Sequence, residues 1–238
     1  MKNHLRKAAA ILMALLTTIT MSACSKINSE TAADVREALE AKYGKAFEVT
    51  HIGNRLNNST ATAFAHPVDQ SEIVFTATID HDGNVVDDYA NHIVLNTIEK
   101  ELVHAFQANG IASAVNAVVT EDDVIETDTD ISPNAFASKN GIDAILVRVI
   151  LDGPEVSARS VIDSLEEAAA SYEFSLVVSL YVMPHEAFVT CEKDFQTYPS
   201  VGATKIESYS PVFSSKLVLS DGGSSVSVEQ LAVQMEGN

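Results

Sequence analysis

Cys191 and His185 have the side chains of a nucleophile and its base, a thiol and an imidazole that do chemistry together when they meet. They lie six residues apart, so on one helix they point to different sides. Cys191 also falls in line with Phe188 and Phe195, which predicts a small buried hydrophobe rather than a reactive thiol. The other histidines past the N-terminal region are His51, His66, His81, His92 and His104, and no pair has the one-turn spacing of a helical metalloprotease site. Asp80-His81-Asp82-Gly83-Asn84 offers oxygens for calcium. An EF-hand loop needs glycine sixth and glutamate twelfth, whereas here Gly83 is fourth and Asn91 twelfth, so a hairpin turn is expected. The acidic run Glu121 to Asp130 has no fixed ligand spacing and predicts a solvated loop. Serine-nucleophile signatures and glycine-rich phosphate loops are absent. Most of the six tyrosines are expected to pack in the core and at its edges, since with no tryptophan a sugar-stacking groove has little to build on. These residues predict no catalytic group, no metal site and no cofactor.

The clearest chemistry lies near the start. Lys2, Arg6 and Lys7 precede an apolar run from Ala8 to Thr20, which has the layout of an export signal and is too short to span a bilayer. Met21-Ser22-Ala23-Cys24 follows. This segment resembles the lipobox of bacterial lipoproteins, with Met21 standing where leucine is usual. The resemblance implies cleavage between Ala23 and Cys24, a diacylglyceryl thioether on the Cys24 sulfur, and attachment to the extracytoplasmic face of a cell membrane. Two acyl chains give a stable anchor where one gives only reversible binding. Residues 24–30 then form a short polar tether. With Cys24 acylated, Cys191 has no partner for a disulfide, and two cysteines cannot build a cysteine-ligated zinc site.

Charge narrows the class of partner. Fifteen Lys and Arg face 33 Asp and Glu, a net of −18, and loss of the signal's three basic residues takes the net to about −21. Such a surface repels nucleic acid and anionic lipid. Hydrophobic content of 46% is enough for a folded core.

The spacing predicts the elements that must position these residues. A helix over about 32–43 starts at Thr31 as its cap and ends at Gly44. Strands follow at Phe47–Val49, Thr60–Ala65 (stopped by Pro67) and Ile73–Ile79, with a return strand at Val85, giving an antiparallel meander. A second helix carries the stripe Leu95, Ile98, Leu102 and Phe106 and ends at Asn109-Gly110, and a strand lies within Ile111–Val119. Residues 121–141 are expected to be a surface connection between residues 31–120 and 142–238. In the latter, the apolar strand Ala144–Leu151 leads to a helix started by Asp152-Gly153-Pro154, then to the strand Phe174–Val182. That order predicts a right-handed βαβ crossover with a parallel pair. Pro184 opens a further helix, a strand spans Val212–Leu219, and Val226–Met235 fits either strand or helix. The fold class expected is α+β, with helix plus antiparallel meander in the first half and a βαβ unit in the second, packed as one domain or two.

The run Leu39-Glu40-Ala41-Lys42-Tyr43-Gly44-Lys45-Ala46-Phe47-Glu48-Val49, with Phe75, Gly83 and Asp87-Asp88-Tyr89 further on, looks like a segment of small uncharacterised lipoproteins of Gram-positive bacteria. The resemblance covers residues 31–110 and implies a cell-surface location without an assigned activity. The function expected is therefore that of a membrane-anchored, non-enzymatic binding lipoprotein. Its partners would be the membrane through Cys24 and an unidentified protein or small molecule. The rivals are an envelope hydrolase with a site assembled from distant residues and a transporter-associated binding protein.

Overall fold

A computed structural model describes residues 29–53, 59–120, 124–153, 156–220 and 223–237. The fold is α+β and divides into two compact units. One comprises the residues up to Asp69 with Thr76–Val86, the other Gln70–Phe75 with Asp87–Asn238.

In the first unit, helix α1 covers residues 29–43. It starts before the expected cap: Thr31 is buried within it, and Ser29 and Glu30, assigned to the tether from sequence, form its first turn. Val35 and Leu39, four apart and so on one helix face, are fully buried. Gly44 ends the helix at φ +68, where a Cβ would strain the backbone. An antiparallel sheet follows in the order β1 (Phe47–Ile52), β2 (Thr60–Pro67), β3 (Phe75–Asp80), β4 (Val85–Asp87). Ala61, Ala63 and Ala65 of β2 and Ala77 and Ile79 of β3 are buried at alternate positions, the period of a half-covered sheet. Strand β2 runs on through Pro67, which pairs with Phe47 at the strand's last position, where a missing N–H costs least. The β3–β4 turn is the one expected at Asp80: Oδ1 accepts the N–H groups of Asp82 (2.8 Å) and Asn84 (2.9 Å) while Gly83 sits at φ +85.

The second unit is built on a five-stranded sheet in the order β5 (Ser113–Val118), β6 (Ala144–Asp152), β7 (Ser175–Met183), β8 (Phe213–Ser220), β9 (Gly223–Ser224). The β6–β7 pair is parallel and the others antiparallel. One face packs into a core with helices α2 (Tyr89–Ala108), α3 (Pro133–Asn140), α4 (Ala158–Ala169) and α7 (Val228–Glu236), through residues such as Ile98, Phe136, Leu165 and Leu231. The other face meets α5 (His185–Thr197) and α6 (Ala203–Glu207) around Ile150, Tyr181, Phe188, Cys191 and Ile206. Helices cover both faces of the parallel pair, which is why β6 and β7 read as nearly unbroken apolar runs.

Residues 124–141 do not form a surface connection between halves. Residues 121–123 lie outside the described residues. Glu126 is buried, with Oε1 accepting from Lys139 Nζ (2.7 Å) and from the N–H groups of Thr127 and Asp128. Asn91 of α2 clasps the segment from both sides, donating to Val124 O and accepting from Glu126 N. Phe136 of α3 is fully buried in the main core. The segment is thus internal to the second unit. The division falls at Asp69 and Val86 instead, because β5 pairs in register with β6 and carries α2 into the later unit. Two other expectations shift or resolve. Helix α4 begins after Asp152-Gly153, with Ser157 Oγ accepting from Ser160 N. The ambiguous tail is helix α7, fixed by a capping box between Ser227 and Gln230.

Candidate functional site

Strands β6 and β7 run parallel, so their carboxyl ends lie side by side: Asp152 and Met183 are register partners. The chain must leave each strand at that edge. After β6, Gly153 turns away at φ +85 and donates to Met183 O (2.9 Å). After β7, Pro184 directs the chain into α5, whose first residue is His185. The two exits bring Asp152 and His185 together, with His185 Nδ1 2.8 Å from Asp152 Oδ2. The Asp152 carboxylate is mostly buried, whereas the His185 side chain is 75% exposed. A carboxylate on Nδ1 fixes the orientation of the imidazole and leaves Nε2 pointing outward.

The second carboxylate oxygen is, with Ser113 Oγ and Glu126 Oε2, one of three buried side-chain oxygens without a hydrogen-bond partner among the described residues, and of the three it alone belongs to a residue that lines the cleft between α2, β5 and α4. Asp152 Oδ1 is buried and has no hydrogen-bond partner among the described residues. A buried acceptor left unpaired costs about 1–3 kcal/mol, so proteins rarely keep one without a use for it. Asp152 lines a half-open cleft of about 570 Å³ together with Asn109, Gly110, Ala112, Ser157 and Ser160. The cleft lies between the end of α2, the start of β5 and the start of α4, beside the carboxyl end of a parallel strand. Open sheets with parallel strands commonly bind ligands at such a position. Asn109 Nδ2 is committed to Ala105 O and Ser164 Oγ, and Ser157 Oγ caps α4 and donates to Ser160 Oγ (2.9 Å), so these walls are held in place.

A second polar feature is a small cavity of about 10 Å³, room for roughly one water, lined by Glu72, His92, Asn96, Glu99, Asn116 and Tyr198 among others. Glu99 Oε1 accepts the N–H of Ala117 (2.7 Å) on the edge strand β5. Burial dominates its carboxyl and pushes it up to about 7, against the lowering by the Ala117 N–H and by His92. Asn116 donates to Pro199 O and accepts from Val201 N, which ties the α5–α6 loop to the sheet.

Of the residues singled out from sequence, the structure separates the thiol from the imidazole. Cys191 is fully buried against the sheet, and desolvation pushes its thiol up to about 11, away from the reactive thiolate. His185 turns to Asp152 instead. Asp80 is consumed by its turn: its carboxylate accepts from the side chain and backbone of Asn84, which holds it below the usual range. His51 stacks on Phe64, His66 lies 3.9 Å from Glu48, and His92 lies 3.5 Å from Asp88. Among the described residues no three His, Cys, Asp or Glu gather as a metal site, and no helix is long and apolar enough to cross a membrane. Tyr89, Tyr172 and Tyr181 are buried, and Tyr172 donates to Glu101. Met21, Ala23 and Cys24 lie outside the described residues. Sequence reasoning missed Asp152 as a site residue. Its signal was an acid at the end of an apolar strand, followed by glycine, which was read only as the start of a helix.

No protein-family model matches the chain, and no curated protein matches it. Among solved structures it is similar to the 2.55 Å crystal structure of a DUF5037 family protein from Ruminococcus gnavus ATCC 29149, with a TM-score of 0.70 at 12% identity, covering 87% of this chain and 99% of that one. At that identity the likeness is one of fold.

Proposed function

We propose that the chain is a lipoprotein held by Cys24 on the extracytoplasmic face of a membrane, and that it binds a small polar ligand in the cleft beside Asp152. The anchor rests on Met21-Ser22-Ala23-Cys24 behind a short export signal. The binding role rests on one observation: Asp152, which lines a cleft large enough for a metabolite, keeps a buried carboxylate oxygen with no hydrogen-bond partner among the described residues. Because His185 engages Oδ2, the ligand would present an amine or hydroxyl donor to Oδ1. The test is a thermal-shift screen of amino acids, amines and polyols on the mature protein. A ligand at about a hundred times its Kd adds about 2.7 kcal/mol, which for a protein of this size raises Tm by about 5–10 °C. Asp152→Asn should abolish that shift. A shift that survives Asp152→Asn moves the binding site elsewhere. The intact mass of membrane-extracted protein tests the anchor separately, by the diacylglyceryl increment on a chain starting at Cys24.

The Asp152–His185 pair also supports a hydrolytic reading, since a carboxylate-oriented imidazole is the usual general base. That reading predicts ester or amide hydrolysis by the mature protein, lost in His185→Gln. Ligand-induced stabilisation without turnover rejects it.

A further inference from the structure

Side chains of β5–β8 alternate between the two sheet faces, and residues in register form rows across the strands. On the face covered by α5 and α6, one row is Ala114–Ile150–Tyr181–Ser214, whose first three members are buried. The next is Asn116–Arg148–Ser179–Lys216, and the next Val118–Leu146–Val177–Val218. Helix cover runs out within the middle row: Asn116 and Ser179 are buried, Arg148 is half-buried and Lys216 is exposed. The outer row is wholly apolar and partly open, with Val218 37% exposed.

Arg148 is underused for a cation in this position. A guanidinium has five N–H donors, and the single hydrogen bond Arg148 makes among the described residues is a long one, 3.5 Å to Ser200 Oγ. Lys45, Lys100, Lys139 and Lys205 each lie against a carboxylate, whereas neither Arg148 nor Lys216 does so among the described residues. This is not for want of acids, which outnumber bases 33 to 15 in the chain. The carboxylates at the β5 end of the row are engaged, Glu72 by Lys100 and Glu99 by the Ala117 N–H. Desolvation also draws the Arg148 guanidinium below its usual range, the direction for a buried cation that lacks an anion. Arg148 and Lys216 stand two strands apart, about 10 Å, on either side of the small Ser179.

We infer that this open patch docks an acidic protein segment, whose carboxylates engage Arg148 and Lys216 and whose apolar side chains lie on the Val118–Leu146–Val177–Val218 row. Charge complementarity carries the choice of occupant. The patch shows two cations and four apolar residues with no acid in its rows, on a molecule that otherwise repels acidic partners. Arginine's planar fork suits a two-point carboxylate contact, and the row supplies apolar area that a free anion would not use.

The test uses a rhodamine-labelled peptide repeating Asp-Asp-Leu-Leu, about eight residues long, so that each face of the extended chain carries both acids and leucines, titrated with the mature protein and followed by anisotropy. A Ser-Leu peptide of the same length and inorganic phosphate serve as competitors. The expected result is saturable binding of the Asp-Leu peptide that weakens with salt and falls about ten-fold or more in Arg148→Gln. Lys216→Glu should weaken it similarly and, being an exposed substitution, cannot be explained by unfolding. Absence of binding up to about millimolar protein, or binding unchanged in Lys216→Glu, overturns the inference. So does equal competition by the Ser-Leu peptide, which would make the patch merely apolar. Full competition by phosphate would make it a site for free anions and overturns it too.

Discussion

Glu99 and Glu126 show how position sets the sign of a carboxylate's contribution. Burial pushes the Glu99 carboxyl up to about 7, while Lys139 and the backbone N–H groups of Asp128 and Thr127 hold Glu126 down at about 2. A folded pKa above the unfolded value of about 4.3 gives stability that is complete at lower pH and is lost as pH rises through 7. For Glu99 that loss amounts to about 2–3 kcal/mol, discounted for the part of the residue that stays exposed. Glu126 acts in the opposite window, with its contribution present at neutral pH and lost as pH falls toward 2. Between pH 5 and 7, then, Glu99 makes stability fall as pH rises. Glu99→Gln keeps an acceptor for the Ala117 N–H and removes the charge, so its urea midpoint should change little across that range while the parent's falls. A parallel fall in both proteins would remove Glu99 from the account.

At the scale of elements, legibility followed periodicity. Helix α4 and strands β6 and β7 were plain in the sequence because Val161, Ile162, Leu165, Ala168 and Ala169 keep a helical stripe between two apolar runs. The first unit's meander was equally plain, since β2 and β3 alternate strictly. Helix α3 was invisible for the converse reason. Its eight residues, Pro133–Asn140, carry one large apolar side chain, and acids crowd the run before it. What holds it is tertiary: Phe136 in the core, Lys139 on the buried Glu126, and Asn140 and Ser132 at its ends. Phe136→Ala should therefore cost about 3–5 kcal/mol, read as a lower urea midpoint, even though it lies in what composition marks as a loop. A cost below 1 kcal/mol would return the segment to the surface. The candidate site was hidden likewise. Asp152 and His185 are 33 residues apart in the chain, and only the parallel register of β6 and β7 brings them to 2.8 Å.

For the whole molecule, charge is the leading variable. A net of −18, about −21 without the three basic residues of the signal, stores repulsion that salt relieves, because the Debye length shortens from about 30 Å to about 3 Å between 0.01 and 1 M. Several of the ion pairs described here are exposed and contribute little against that. Thermal unfolding of the mature protein should move up by several degrees across that range. A downward shift would mean that ion pairs outweigh the repulsion.

Cys191 gives the molecule an internal clock. It is fully enclosed between α5 and the sheet, and in a Cys24→Ser protein it is the sole sulfhydryl. A maleimide can reach it only through openings that lift α5 away, so its labelling rate in native buffer counts those openings directly. The same enclosure sets a deadline on maturation, if the chain folds outside the cytoplasm as proposed. Until α5 has closed over the sheet, the sulfur is open to oxidation and mixed-disulfide formation, and chains that miss that interval would be trapped with an adduct that the closed core has no room to accept.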